Sequence, residues 1–305
     1  MRFAFTKCHG SGNDFPLIDA RALTLDDEHW AQVARALADR GGPVGGDGLL
    51  LLVAGDGDHA FGMRMFNSDG SEAETCLNGL RCVARAGFEA LDLDAARVRL
   101  KTSAADVARE AELAPGVTTV RTTVGPASTE LADVGLTGPL SELPTTRIFT
   151  AVAMPNPHLV TFVDAINEAE LVALGEYCEA GPPLIPARAN VSFVELRGPD
   201  LFVRTFERGV GLTDSCGSAM AASVLAAGLT GRVPLGLEVR VFNKGGLVRG
   251  RADADHIVTI SGNATFLYDA VIDIDLPTGR VDNLIIHARR EDEAEAWSAA
   301  VAALG

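Results

Sequence analysis

Short alternations of apolar and polar residues, cut by Gly, Asp and Asn, fill the first third of the chain and read as strands. They fall at residues 3–7, 15–19, 49–53, 61–66 and 98–101. Residues 26–40 change period: Trp30, Val33, Ala34 and Leu37 recur at helical spacing behind Thr and Asp residues, which predicts an amphipathic helix. A second helix, small and apolar, is predicted over 80–90, just after Cys76. This first set closes near 120–126, and a Gly- and Pro-containing stretch at 136–144 leads to another. The second set reads strand 147–154, strand 159–164, helix 168–177, strands 191–196 and 201–206, and a small apolar helix over 219–229 behind Cys216.

The order therefore occurs twice, and the spacing agrees. Asn13 precedes Cys76 by 63 positions, and Asn156 precedes Cys216 by 60. Each asparagine stands before a strand that runs to an aspartate, Asp19 or Asp164. The two polar approaches also match: Asn67-Ser-Asp-Gly-Ser-Glu-Ala-Glu-Thr-Cys76 and Glu207-Arg-Gly-Val-Gly-Leu-Thr-Asp-Ser-Cys216. An internal duplication explains this. Two α+β halves side by side would leave one cleft, a usual place for a ligand site, with one cysteine from each half.

Composition narrows the partners. A chain of 305 residues, 47% hydrophobic, can build two domain cores. Its formal charge of −15 argues against nucleic acid or a membrane surface, which would want clustered Lys and Arg. No apolar run approaches the roughly 20 residues of a membrane span. Met1-Arg-Phe-Ala-Phe-Thr-Lys begins as a strand rather than as a signal peptide, so the expected location is cytoplasmic, in a cytosol of bacterial type. Five cysteines without a disulfide spacing read as reduced thiols. Cys8, Cys82 and Cys178 have the look of packing residues, and no metal-ligand spacing is present.

Cys76 and Cys216 differ from the other three in their setting. Both stand at helix starts, where orphan backbone N–H groups and the positive end of the helix favour a thiolate and bind anions. A cysteine in that position is, by itself, often only a small buried residue. A matched pair suggests a shared chemistry, the inversion of a stereocentre beside a carboxylate, which needs a base on one face and an acid on the other. Moving a thiol from its ordinary pKa of about 8.5 to near 7 takes roughly 2 kcal/mol. A helix N-terminus contributes about 0.3–1 kcal/mol at a surface and up to ~2 kcal/mol when partly buried, so dipole and hydrogen bonds together suffice. No cofactor is required in principle. The backbone N–H groups of Leu77, Asn78, Gly217 and Ser218 are suited to clamp the substrate carboxylate.

Several ordered segments carry a family resemblance. They are Lys7-Cys-His-Gly-Ser-Gly-Asn13-Asp-Phe, Val44-Gly-Gly-Asp-Gly48, Phe66-Asn67-Ser-Asp-Gly, Cys76-Leu-Asn-Gly-Leu-Arg81-Cys, Asn156-Pro-His158, Asn190-Val-Ser-Phe, Glu207-Arg208-Gly-Val-Gly and Cys216-Gly217-Ser218. Together they resemble the diaminopimelate epimerases, cofactor-independent two-cysteine isomerases, over residues 1 to about 274. The resemblance implies an α+β fold of two pseudosymmetric domains, each a β-barrel around a central helix, with the active site in the cleft. It implies domains at 1–125, completed by a strand at about 264–274, and at 126–263, with 275–305 as an extension. In that extension Ala294, Trp297, Ala300, Val301 and Leu304 predict an amphipathic helix that packs on its own domain or on a second copy.

Carried over by position, Cys76 and Cys216 are the acid–base pair, with His158 and Glu207 as catalytic neighbours. Asn13, Asn67, Asn156, Asn190 and Arg208 match residues that read the amino and carboxylate groups of the substrate. Amides supply donors and acceptors to a zwitterion, and Arg meets a carboxylate bidentately. The expected partner is a small amino acid, with neither nucleic acid nor membrane; a homodimer is left open.

The chain departs from the family pattern at Leu77, where a glycine is usual, and at Ser218 and Ala219, where Thr and Gly are. Leu77 would place a bulky side chain where the backbone approaches the carboxylate. The approaches Met154-Pro155 to Asn156 and Leu184-Ile-Pro-Ala-Arg-Ala to Asn190 also differ. Three functions therefore stand side by side: epimerisation of LL- to meso-diaminopimelate, racemisation of another amino acid, and amino-acid binding without catalysis. Two retained cysteines speak against the third.

Overall fold

The computed structural model describes residues 1–154 and 156–303. The chain divides into two compact units, one of residues 1–122 with the segment from 261 onward, the other of residues 123–260.

The first unit opens with β1 (Arg2–Gly10), β2 (Asn13–Asp19), α1 (Asp27–Ala38), β3 (Gly48–Ala54), β4 (Phe61–Asn67), α2 (Leu77–Leu91), β5 (Ala95–Arg99) and β6 (Ala104–Glu110). After β7 (Thr119–Val124) come β8 (Phe149–Met154), β9 (Asn156–Phe162), α3 (Glu168–Glu179), β10 (Asn190–Arg197), β11 (Asp200–Glu207), β12 (Gly211–Thr213), α4 (Gly217–Leu229), β13 (Val239–Asn243) and β14 (Gly246–Ala252). The strand β15 (Val258–Asn263) leads back to the first unit, which ends with β16 (Thr265–Asp275), β17 (Arg280–Arg289) and α5 (Glu291–Ala302).

The first unit's strands lie in the order β17, β16, β1, β2, β3, β4, β5, β6, antiparallel except for β2–β3 and β4–β5. Those two parallel steps need crossovers, which α1 and α2 supply. In the second unit β8, β9, β10, β11, β13 and β14 follow one another, again antiparallel except where α3 and α4 cross over. Strand for strand, these six repeat the plan of β1 to β6. The duplication read from spacing is thus a duplication of topology.

Two helices in each unit are buried to different extents. The helix α4, nearly all Gly, Ala, Ser, Val, Leu and Met, is buried along almost its whole length. It contacts all six of its unit's main strands, as α2 does in the first unit. A helix apolar on every side belongs inside. By contrast α1 and α3 each bury one face on the outside of the sheet. Trp30, Val33 and Leu37 of α1 pack with Phe3, Phe5, Leu49, Leu51 and Ile272. Leu171, Leu174 and Cys178 of α3 pack with Val191, Phe193 and Phe206. The run Leu49 to Leu52 follows from β3 being covered twice: Leu49 and Leu51 meet α1, and Leu50 lies on α2 against Gly79.

Several strands are not read from the apolar pattern, β12 to β15 among them, and β6 and β17 show why. In β6 only Ala105 and Val107 are buried, too slight an alternation to read. In β17 the consecutive Leu284, Ile285 and Ile286 hide the period, because Asn283 takes a left-handed φ of 55° where the pairing with β16 shifts register. Beyond it, α5 docks on its own unit: Trp297 and Ala300 pack with Val117, and Trp297 lies 5.7 Å from the His9 ring. The Glu293 carboxylate takes both Arg85 and the Phe266 N–H. Leu304, expected on the same helical face, lies outside the described residues. Among the described residues no helix is long and apolar enough to cross a membrane.

Candidate active site

Cys76 is extended (φ −151°, ψ 99°) and caps α2. Its Sγ accepts the Gly79 N–H at 3.3 Å, so a backbone donor and the positive end of the helix both favour negative charge on this sulfur. Asn13, the first residue of β2, places its Oδ1 3.9 Å from that Sγ. The Nδ2 end of the amide donates to Asp47, a carboxylate that also receives Arg40 at 2.7 Å. With the donor end committed, the acceptor end faces the thiol.

The other first-unit residues are placed differently. Leu77 is helical and 3% exposed, so no glycine-only backbone is demanded there. Asn78 turns its Oδ1 to the Arg81 guanidinium at 2.9 Å. Asn67, the last residue of β4, donates from Nδ2 to Ser71 Oγ at 3.0 Å within its own turn.

Cys216 caps α4 in the same way (φ −129°, ψ 112°) but is only 8% exposed and makes no side-chain cap bond. Burial, and after it the Glu207 carboxylate, push this thiol well above its ordinary pKa, with the Ser218 hydroxyl and the Ala219 backbone N–H opposing. Glu207 is the last residue of β11 and accepts Thr213 Oγ1 at 2.5 Å. Ser218 Oγ lies 3.5 Å from Cys216 Sγ and 3.1 Å from His158 Nε2. His158 is fully buried, and its Nε2 also lies 3.2 Å from Asn156 Oδ1 and 3.5 Å from Asn190 Nδ2. Burial first, and the charge of Arg208 second, lower its pKa to about 3. A neutral imidazole therefore sits behind Cys216 across the physiological range.

Asn156, His158, Asn190, Cys216 and Ser218 thus form one hydrogen-bonded cluster. Asn190 Oδ1 accepts the Arg208 N–H at 2.8 Å, while the Arg208 guanidinium donates to the Ala187 carbonyl at 3.2 Å. Gly217 is the first helical residue of α4.

The two units offer these residues from matching places. Asn13 and Asn156 open β2 and β9; Asn67 and Glu207 close β4 and β11; Gly48 and Asn190 open β3 and β10. At the third position the first unit has no room for an amide, since a Cβ on Gly48 would lie 2.3 Å from the Phe66 carbonyl oxygen. Three contributors were given no role by the sequence, although two of them stand in the resembling segments. Thr213 stands three residues before Cys216 and gave only that local hint. Asp47, in a Gly-rich loop, and the buried Arg81 depend on contacts across the fold. Among the described residues no group of three or more His, Cys, Asp and Glu side chains is placed to hold a metal ion.

Solved structures define the fold class. A hydroxyproline epimerase from Agrobacterium vitis matches with a TM-score of 0.64 at 15% identity, over 99% of this chain and 97% of its own. A phenazine biosynthesis protein of the PhzF family from Bacillus anthracis matches with a TM-score of 0.64 at 14% identity, over 90% of this chain and 100% of its own. The chain has the two-domain α/β fold these proteins share. Sequence relatives are nearer. The diaminopimelate epimerase of Clostridium acetobutylicum is 36% identical, covering 88% of this chain and 85% of its own. That of Ligilactobacillus salivarius is 37% identical over 94% and 96%. The family model for diaminopimelate epimerase matches residues 5–129 and 150–267. The chain belongs to the diaminopimelate epimerase family, a family of isomerases.

Proposed function

We propose that this protein epimerises diaminopimelate between its LL and meso forms in the cytoplasm, with Cys76 and Cys216 as the acid–base pair. The observation that carries the reading is the matched pair of helix-capping cysteines, one in each copy of a duplicated fold, in a chain 36–38% identical to proteins named diaminopimelate epimerase. We read residues 1–125 with the strand at 264–274, and residues 126–263, as the two epimerase halves.

The chemistry uses two proton transfers. A thiolate takes the α-proton, the electron pair left on the α-carbon spreads into the carboxylate, and a thiol returns a proton to the opposite face. One S–H bond forms and one breaks, so the cysteines exchange protonation states and no other reactant is consumed. The resting states suit this. Cys76 has a backbone donor on its sulfur, whereas burial and Glu207 keep Cys216 protonated. The N–H groups of Leu77, Asn78, Gly217 and Ser218 hold the carboxylate as charge moves into it. Asn13, fixed by Asp47 with its oxygen toward Cys76, accepts from the α-ammonium beside that sulfur, and Asn67, Asn156 and Asn190 supply further amide contacts. Arg208 meets the distal carboxylate. His158, neutral and bonded to Ser218, orients that hydroxyl toward Cys216.

The test is incubation in D₂O with diaminopimelate and a panel of other L-amino acids, read by mass spectrometry. Deuterium at the α-carbon of diaminopimelate is the expected result. Label confined to another amino acid would move the reading to a racemase of that compound, a turn the altered residues Leu77 and Ser218 would then explain. No label in any would leave an amino-acid-binding protein.

A further inference from the structure

Two arginines one helical turn apart on α2 are treated in opposite ways. Arg85 is clamped between carboxylates, with Glu89 at 2.8 Å and Glu293 at 2.5 Å. Arg81 is buried completely, yet its donors go only to neutral oxygens: Ser11 Oγ at 3.0 Å, Asn78 Oδ1 at 2.9 Å, and the carbonyls of Asn263 at 3.0 Å and Leu77 at 3.4 Å. Among the described residues no carboxylate pairs with it. Burying a cation without a counter-ion is costly even after the surroundings relax.

The surroundings are shaped to accept that cost. Ser11, which holds one end of the guanidinium, sits in the left-handed region at φ 52°. Its N–H is fixed by Asn263 Oδ1 at 2.7 Å. Gly10 lets β1 approach: a Cβ there would lie 2.5 Å from the Asn78 carbonyl oxygen and 3.1 Å from Arg81 Nη2. Burial brings the pKa of Arg81 down to about 10, so the group still carries its charge at neutral pH. The guanidinium donates to Leu77 and Asn78, the two residues that follow Cys76, and of the two thiols that interact with its charge Cys82 is fully buried while Cys76 is partly exposed at the helix cap. Negative charge on Cys76, at the partly exposed cap, adds no second ion to the dry interior.

We propose that Arg81 is a positioning residue whose unanswered buried charge holds Cys76 in its anionic form, the thiolate serving as the counter-ion the fold otherwise withholds. The proposal rests on the reading of Cys76 as one of the two bases. It assigns to the arginine of Cys76-Leu-Asn-Gly-Leu-Arg81-Cys an electrostatic role in addition to packing. It also explains why a polar cluster of Ser11, Asn78 and Asn263 is buried beneath the capping turn.

The experiment is peptide-resolved alkylation of Cys76 with iodoacetamide as a function of pH, in the full chain and in Arg81→Gln and Arg81→Lys. In R81Q the reaction midpoint rises by about one pH unit, and alkylation at pH 7 slows about tenfold. In R81K the charge stays, so the midpoint remains near that of the parent even where the melting temperature falls. A bracing role alone would lower the melting temperature of both variants and leave the Cys76 midpoint where it was; that result overturns the proposal. Equal displacement of the midpoint in R81K and R81Q overturns it as well. Should R81Q fail to fold, Asn78→Asp neutralises the guanidinium in place, and an unmoved Cys76 midpoint there is equally fatal. Turnover of Cys76→Ala separates the two levels. If that variant still epimerises, the acid–base reading falls; if it is inactive while R81Q leaves the midpoint unmoved, only the role of Arg81 falls.

Discussion

Cys76 and Cys216 occupy the same place in two units built to one plan, and their surroundings have been driven apart. One sulfur receives a backbone N–H and lies partly exposed. The other is buried beside a carboxylate and held protonated. The divergence begins with burial, which raises the Cys216 thiol most, and is widened by Glu207 at the end of β11, where the first unit has Asn67 at the end of β4. A duplicated fold gives two thiols the same geometry, but epimerisation needs one of them charged and one neutral at the start. In the proposed mechanism the deeper burial of Cys216 and the Glu207 carboxylate beside it supply that difference.

Removing either thiol is the most severe way to break the comparison. Cys76→Ala and Cys216→Ala should each lower epimerisation by at least about a thousandfold with the fold intact by circular dichroism, since each proton transfer loses its only carrier. Near-normal turnover in either would sink the two-base mechanism. Erasing the asymmetry is milder. Glu207→Gln should bring the alkylation midpoint of Cys216 down toward its ordinary value and cost about tenfold in turnover, because the thiol is then less firmly held in its proton-donating state. A Cys216 midpoint that does not move would show that the carboxylate has no part in setting it.

The smallest effect is on stability. Burial lowers the pKa of His158 to about 3 and that of His9 to about 4. An unfolded histidine protonates near 6.5, so the unfolded chain binds more protons than the native one between that value and the folded pKa. Stability from these two groups is therefore complete above pH 6.5 and is lost as the pH falls toward 4, by up to about 1.4 kcal/mol per pH unit for each. Urea unfolding of His158→Gln between pH 6.5 and 4.5 should show a shallower decline than the parent. An unchanged slope would mean that His158 does not stay neutral in the fold.

What was legible in the sequence was local. The capping cysteines, the asparagines that open β2 and β9, and the recurrence of elements all lie within short windows whose period or spacing carries the message. The cluster on His158 was readable only as separate motifs, because Asn156, Asn190 and Ser218 meet through strand pairing and a helix start far apart in the chain. Arg81 shows the limit more sharply. Its ligands Ser11 and Asn263 stand 70 and 182 residues away, and the motif Cys76-Leu-Asn-Gly-Leu-Arg81-Cys marks its position without giving it a role. Leu77 shows the converse. A residue that looks obstructive beside a matched motif is buried in the structure and demands no unusual backbone.

The proposed mechanism turns on one thiol resting charged while the other rests neutral. Peptide-resolved alkylation of the parent protein over a range of pH, scoring Cys76 and Cys216 in the same samples, measures this directly. Cys76 should react with the lower midpoint and Cys216 with one above the ordinary thiol value. Coincident midpoints, or the lower one at Cys216, would contradict that division of roles.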